Sequence, residues 1–247
     1  IRYLPNSIME GSLSENNYNS KTLKEIDDAL RDEFFNVVIA GNIGKAQSPD
    51  TILKAAENLK IYGKIKIILV GEGSALEYIK KQTILRGIKN INFVGRLHES
   101  YMHYVYSRTS VLLLTLEKSS IFSLTIPNRL QSYLAAGKPI IGAVEGESKK
   151  IIVESGSGVD VPPGNVKELS KAIKNSQYVF NFAALADLNY ARNKPMKSVE
   201  INLIGTIKAL IISSKFKINK FIQASSIYAN SEQGGFYGAS KKAAEDY

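Results

Sequence analysis

Short, nearly continuous apolar runs recur along the chain at 36–40, 64–70, 91–94, 110–116, 139–143 and 159–161. Runs of this kind, rich in Val, Ile and Leu, read as strands covered on both faces, the pattern of a parallel sheet. Between them, 50–59, 75–86, 101–106, 127–136 and 166–173 carry apolar residues at three- and four-residue spacing and read as helices. Several open on Ser, Asp or Pro, and Gly137 closes one. Strands alternating with helices predict a doubly wound, Rossmann-like parallel α/β sheet. The first 35 residues differ: 1–5 is extended, 10–19 is a polar loop, and 21–31 is a charged amphipathic helix that acts as a connector. After 173 the alternation resumes with a strand at 178–183, one long helix over 195–214, a strand at 220–225 and a last helix from Tyr237, a partial Rossmann-type segment. No repeat, low-complexity tract or linker composition interrupts the chain. The join between a first part (1–174) and a second (175–247) shows only in the motifs.

Composition narrows the chemistry. The 247 residues are 44% hydrophobic, enough for one large core or two small ones. With no cysteine, disulfides and thiolate metal sites are excluded, and two histidines, His98 and His103, do not make a cage, so no metal is expected. The apolar runs 110–116 and 209–212 fall far short of the roughly 20 residues that span a bilayer. No signal-peptide pattern opens the chain. These features predict a cytoplasmic protein, either soluble or peripheral at the inner face of the membrane. The net charge of +9 is diffuse: nine basic residues oppose five acidic ones from Asn175 onward, and 23 oppose 18 before it. Such an excess suits a solvated surface attracted to anionic membrane or sugar nucleotides, and without a binding motif no nucleic-acid partner is expected.

Three glycine-bearing turns follow strands: Gly41-Asn42-Ile43-Gly44, Gly71-Glu72-Gly73 and Val94-Gly95-Arg96. Glycine at a strand end lets backbone N–H groups approach a phosphate, and equally serves a tight turn with no ligand. In order with Tyr3-Leu4-Pro5-Asn6, Ile126-Pro127-Asn128-Arg129, Tyr133-Leu134-Ala135-Ala136-Gly137-Lys138-Pro139 and Gly156-Ser157-Gly158-Val159, these turns carry a resemblance. Residues 1–174 resemble the donor half of GT-B glycosyltransferases of the family 4 type, especially those building bacterial O-antigen and capsule. The resemblance implies a nucleotide-sugar donor, a UDP-sugar, and a lipid-linked acceptor at the membrane surface. It implies that basic side chains and a helix N-terminus hold the diphosphate leaving group. Arg129, at a helix start, suits that role best because its fork binds phosphate oxygens bidentately. Arg96 and Lys45 rank next, with Gly41, Asn42, Gly44, Gly71 and Gly73 forming the turns.

Departures from the family pattern qualify this. Relatives carry an Arg and a Lys in the first loop and two glutamates eight apart; here Asn42, Gln47, Leu124 and Ser132 stand at those positions. Ribose recognition by a carboxylate is absent there, and the amide and hydroxyl groups, Ser132 among them, remain for hydrogen bonding. The acceptor-binding N-terminal domain of such enzymes would precede the connector at residues 3–6.

The second part resembles extended short-chain dehydrogenases acting on sugar nucleotides. The carrying residues are Val179-Phe180-Asn181-Phe182-Ala183-Ala184, Asn202-Leu203-Ile204-Gly205-Thr206, Ala224-Ser225-Ser226-Ile227-Tyr228 and Tyr237-Gly238-Ala239-Ser240-Lys241. Spaced four apart, Tyr237 and Lys241 share a helix face. By resemblance Lys241 lowers the tyrosine pKa, Tyr237 is the general base on a sugar hydroxyl, Ser226 (or Ser225) orients it, and Asn202 anchors backbone or water beneath. The implied cofactor is NAD(P). The family's glycine-rich first turn, its ribose-reading acid and its sugar-binding region have no counterpart between 175 and 247. Three readings stay open: a glycosyltransferase-type donor domain fused to an epimerase fragment, an NAD(P)-dependent epimerase or dehydratase, and a non-catalytic rearranged fusion.

Overall fold

Odd and even positions of the central strands feed two separate cores. In the computed structural model, which describes residues 18–176, 178–215, 218 and 220–247, every residue of β1 (Phe35–Ala40) is buried. Val37, Ile39, Leu69 and Leu113 pack on one face, while Val38, Ala40, Val70 and Leu114 pack on the other. A strand apolar at consecutive positions must be covered on both sides, and helices do so here. With β2 (Ile65–Val70), β3 (Ile91–Gly95), β4 (Val111–Thr115), β5 (Ile140–Ala143) and β6 (Gly158–Val161), it forms a six-stranded sheet in the order β3-β2-β1-β4-β5-β6. Every neighbouring pair is parallel. This is the expected doubly wound α/β sheet, with its strand order reversing between β1 and β4. The readings on 1–17, including the connector motif at residues 3–6, lie outside the described residues.

On the first face lie α2 (Pro49–Leu59), α3 (Leu76–Leu85) and α8 (Val166–Asn175); on the second lie α1 (Ser20–Ala29), α4 (Met102–Ser107), α6 (Asn128–Ala135) and α7 (Gly146–Glu154). A short α5 (Ser120–Ser123) precedes α6. The sequence reading missed α5 and α7. The latter buries only Ser148 and Ile152, a stripe too narrow to show as periodicity. The charged helix read as a mere connector is also a core element: Ile26 of α1 and the adjoining Leu30 are fully buried.

The chain falls into two compact units, Ile1–Asn175 and Ser176–Tyr247. In the second, β7 (Tyr178–Asn181) and β8 (Lys220–Gln223) pair in parallel in a two-stranded sheet of their own. Helices α9 (Leu188–Asn193), α10 (Pro195–Val199), α11 (Gly205–Lys215) and α12 (Gly235–Glu245) complete the unit. The helix expected over 195–214 runs without a gap from 195 to 215, with a π-helical turn, Glu200–Ile204, set between α10 and α11. That turn holds Asn202 at 1% exposure, where its Oδ1 accepts from Leu185 N (2.7 Å) and its Nδ2 donates to Ser240 Oγ (2.9 Å). One buried amide thereby fastens the loop after β7 to α12, a tertiary demand that helical periodicity does not encode.

At the carboxyl ends of β1, β2 and β3 the glycine turns form one ledge. Gly41 N donates to Val70 O (2.8 Å), Gly71 N to Gly95 O (2.7 Å) and Ile43 N to Glu72 O (2.8 Å). Gly71 adopts φ +136°, and a Cβ there would fall 2.0 Å from Gly41 O. Glycine is required by both conformation and space.

Two outcomes follow from this packing. Gly71→Ala should cost about 2 kcal/mol or more of stability, because backbone rather than a movable side chain blocks the added carbon; an unchanged urea midpoint would contradict the ledge. In hydrogen exchange followed by mass spectrometry, β1, β2 and β4 should be protected for far longer than β7 and β8. Each of the latter has a strand partner on one side only among the described residues.

Candidate functional site: a cleft at the strand-order reversal

At Ala40 the ladder from β1 to β4 has already ended, its last matched pairs being Val37 with Val111 and Val38 with Leu112. The freed backbone of Ala40 is met by one side chain. Tyr133 of α6, fully buried, accepts from Ala40 N at 2.8 Å and donates to Ala40 O at 3.3 Å. Burial raises the phenol's pKa, so it stays a neutral donor and acceptor. Both backbone groups are satisfied, and α6 is pinned at the point where the sheet splits.

Four residues earlier on the same helical face stands Arg129. Its Nη2 donates to the carbonyl of Asn42, and its guanidinium lies over Gly41, whose hypothetical Cβ would sit 3.5 Å from Nη2. Nη1 is buried and, among the described residues, has no hydrogen-bond partner. A donor held this way is costly unless something accepts from it. Pro127 precedes α6 and makes no side-chain cap, so the positive end of the helix dipole faces the same space.

That space is a cleft of about 1500 Å³. Of the residues expected to bind donor in the first unit, Gly41, Asn42, Gly71, Gly73, Arg96, Arg129 and Ser132 line it. Gly44 and Lys45 do not. They turn away at a short 3₁₀ segment, Lys45–Gln47, where Gly44 N donates to Gln47 Oε1 at 2.8 Å, and Lys45 borders a separate cavity. The cleft also takes Gln47, Glu72, Leu97, His98, Glu99, Tyr106 and Asn128, which the sequence reading did not select as ligands. The rule that ligands sit beyond the carboxyl ends of strands would have found 97–99, directly after β3. Tyr106 comes from a helix whose inward face is not legible before packing. Burial, reinforced by Tyr133 and opposed by Arg129, pushes the Tyr106 phenol well above its ordinary pKa. At the cleft, Arg96 and Glu72 approach to 4.0 Å with both side chains largely exposed, a pair worth little to stability and free to separate.

In the second unit Tyr237 and Lys241 do share one face of α12, and both are buried, at 7% and 2% exposure. Their neighbours are already engaged. Lys241 Nζ donates to Ala224 O, and burial lowers its pKa against the opposing pull of Glu245. Ser225 Oγ donates to the Glu245 carboxylate. Ser226 Oγ accepts from Tyr228 N at 3.3 Å, capping the short turn Ile227–Asn230. No described helix in either unit is long and apolar enough to cross a membrane.

Comparison with known proteins bears on these geometries. The profile of a family described as polysaccharide biosynthesis protein matches residues 160–247. A probable glycosyltransferase of Pseudomonas aeruginosa, WbjE, is 30% identical over 135 residues, covering 54% of this chain and 33% of that protein. The crystal structure of Anabaena HepE in complex with UDP-glucose superposes with a TM-score of 0.51 at 13% identity, over 82% of this chain and 47% of that one. The chain thus spans 33% of the curated relative and 47% of the solved one. At 13% identity the second likeness is one of fold alone. The profile of glycosyl transferases group 1 matches residues 21–176, more than half of the chain and the whole of the sheet that frames the cleft. The protein belongs to the group 1 glycosyl transferases.

Proposed function

We propose that the first unit binds the nucleoside diphosphate of a sugar-nucleotide donor, a UDP-sugar, and acts as the donor half of a glycosyltransferase in surface-polysaccharide synthesis. The observation carrying this is Arg129: a guanidinium clamped to the Asn42 carbonyl, with a buried Nη1 left over, beside an uncapped helix start and glycine turns. A diphosphate supplies acceptors for that nitrogen and for the helix's positive end. In glycosyl transfer the bond from the anomeric carbon to the diphosphate breaks, and charge builds on the departing phosphate. Fixed cations there stabilise the transition state more than the ground state. Ser132 and the Gln47 amide stand where relatives carry charged side chains, so sugar and ribose hydroxyls are met by neutral hydrogen-bonding groups. The family, the P. aeruginosa relative and the HepE complex with UDP-glucose support this reading.

In titration calorimetry UDP should release heat on binding, and Arg129→Ala should weaken it roughly ten- to hundredfold, the loss of a charge-assisted hydrogen-bond pair. An absence of heat with UDP and every UDP-sugar tried would falsify the reading.

The second unit supports an NAD(P)-dependent epimerase or dehydratase less well. The shared buried face of Tyr237 and Lys241 favours it, as does the polysaccharide-biosynthesis match. The groups present do not fit the dinucleotide. Residues 182–187 after β7 contain no glycine to admit a pyrophosphate, and one donor of the buried Lys241 ammonium goes to Ala224 O. We infer that this unit does no dinucleotide chemistry by itself. NADH fluorescence should stay unchanged at saturating protein; enhanced, blue-shifted emission abolished by Lys241→Ala would reverse that conclusion.

A further inference from the structure

A second cavity of about 440 Å³ opens on the first unit beside the cleft's first loop, lined by Lys45, Ser48, Asp50, Thr51, Ser74, Tyr78 and Glu117. The ordinary account of such a hollow is an irregular surface between a loop and two helix starts. Three features argue for more.

First, its polar groups are unspent. Ser48 stands at the N-cap of α2 yet makes no capping hydrogen bond, although serine at that position ordinarily does. Among the described residues, the hydroxyls of Thr51 and Ser74, the Lys45 ammonium and the Glu117 carboxylate likewise form no hydrogen bond or ion pair within the protein. Only Tyr78 and Asp50 are engaged, with each other, the phenol donating to Asp50 Oδ1 at 2.7 Å. The Tyr78 ring, on α3, remains 41% exposed. Second, Ser48 is held at φ +51°, the one described non-glycine residue in the left-handed region, while 8% exposed. That conformation costs a residue with a Cβ on the order of 1 kcal/mol, and glycine there would avoid it while removing the hydroxyl. Third, the charges decide the ligand class. One ammonium faces two carboxylates, so the cavity is net negative and repels a second nucleotide diphosphate. Hydroxyls, carboxylates and an amine around an open aromatic ring suit an uncharged polyol, which exchanges many hydrogen bonds and lays its C–H face on the ring.

We propose that this cavity is a saccharide-binding subsite, separate from the nucleotide cleft, for a neutral sugar unit of a glycan. Loop 41–48 separates the two sites, its start lining the cleft and its end bordering the cavity. Glycan binding there sets the position of a chain held by the same domain that holds the donor.

Saturation-transfer NMR on the whole chain tests this with methyl glycosides of glucose, galactose, N-acetylglucosamine and fucose. Transfer to at least one glycoside is expected, unaffected by saturating UDP. It should fall about fivefold or more in Glu117→Gln, which replaces a charged acceptor oxygen by a neutral donor, and in Ser48→Gly, which removes the hydroxyl. Ser48→Gly relieves backbone strain, so its folded state is secure, and circular dichroism on both variants checks it. No transfer with any of the four glycosides, transfer abolished by UDP, or transfer unchanged in both variants overturns the proposal. The UDP heat measured in calorimetry reports the cleft independently, so failure of one site is distinguishable from failure of the other.

Discussion

Where β1 and β4 part, two backbone groups of Ala40 lose their strand partner, and the hydroxyl of Tyr133 replaces both. Everything at the cleft follows from that substitution. A parallel sheet that reverses its strand order must split at the reversal, and the split leaves polar backbone facing a nearly dry interior. Satisfying it from a helix fixes that helix's depth and rotation. Arg129, one turn earlier, is thereby delivered over Gly41 without needing an ion-pair partner to hold it. A site that must receive an anion gains from a cation whose position is secured by neutral bonds, because a carboxylate holding it would compete with the ligand.

The ledge of glycines is the complementary half. Gly71 lies so close to Gly41 that its position could not carry a larger residue without moving the first strand end, while Gly41 is restricted by its φ of +108°. Close backbone approach and positive φ are the same constraint seen twice: the strands end level, and their N–H and C=O groups bridge from turn to turn. The rim this makes is stiff. The Arg96 and Glu72 pair above it is loose, so accommodation of a ligand falls to exposed side chains rather than to the backbone.

The second unit is built differently. Its central device is a buried amide, Asn202, reaching a backbone N–H and a serine hydroxyl from a π-helical turn. Tyr237 and Lys241 are brought to one face, and Ser225, Ser226 and Lys241 each make one hydrogen bond inside the unit. Tyr237 and Lys241 are buried on that shared face, and burial works against the charge on Lys241.

The chain's apolar pattern determined the six strands, the parallel sheet and most of the helices, because burial on both faces leaves a mark in consecutive residues. The glycine turns and the Pro-Asn-Arg helix start were legible for the same reason: each is dictated by a local backbone need. Tertiary structure alone decided which of these residues share a cleft. Lys45 and Arg129 are both basic candidates as a string of letters, Arg129 ranking first, yet only the fold separates them: a short 3₁₀ turn sends Lys45 to another cavity while a buried tyrosine holds Arg129 over the ledge. Tyr106 enters the cleft from a helix whose inward face depends on packing. The π-helical turn at 200–204 carries an amide whose partners are distant, and hydrogen bonds between residues 17 or 38 apart leave no period to read.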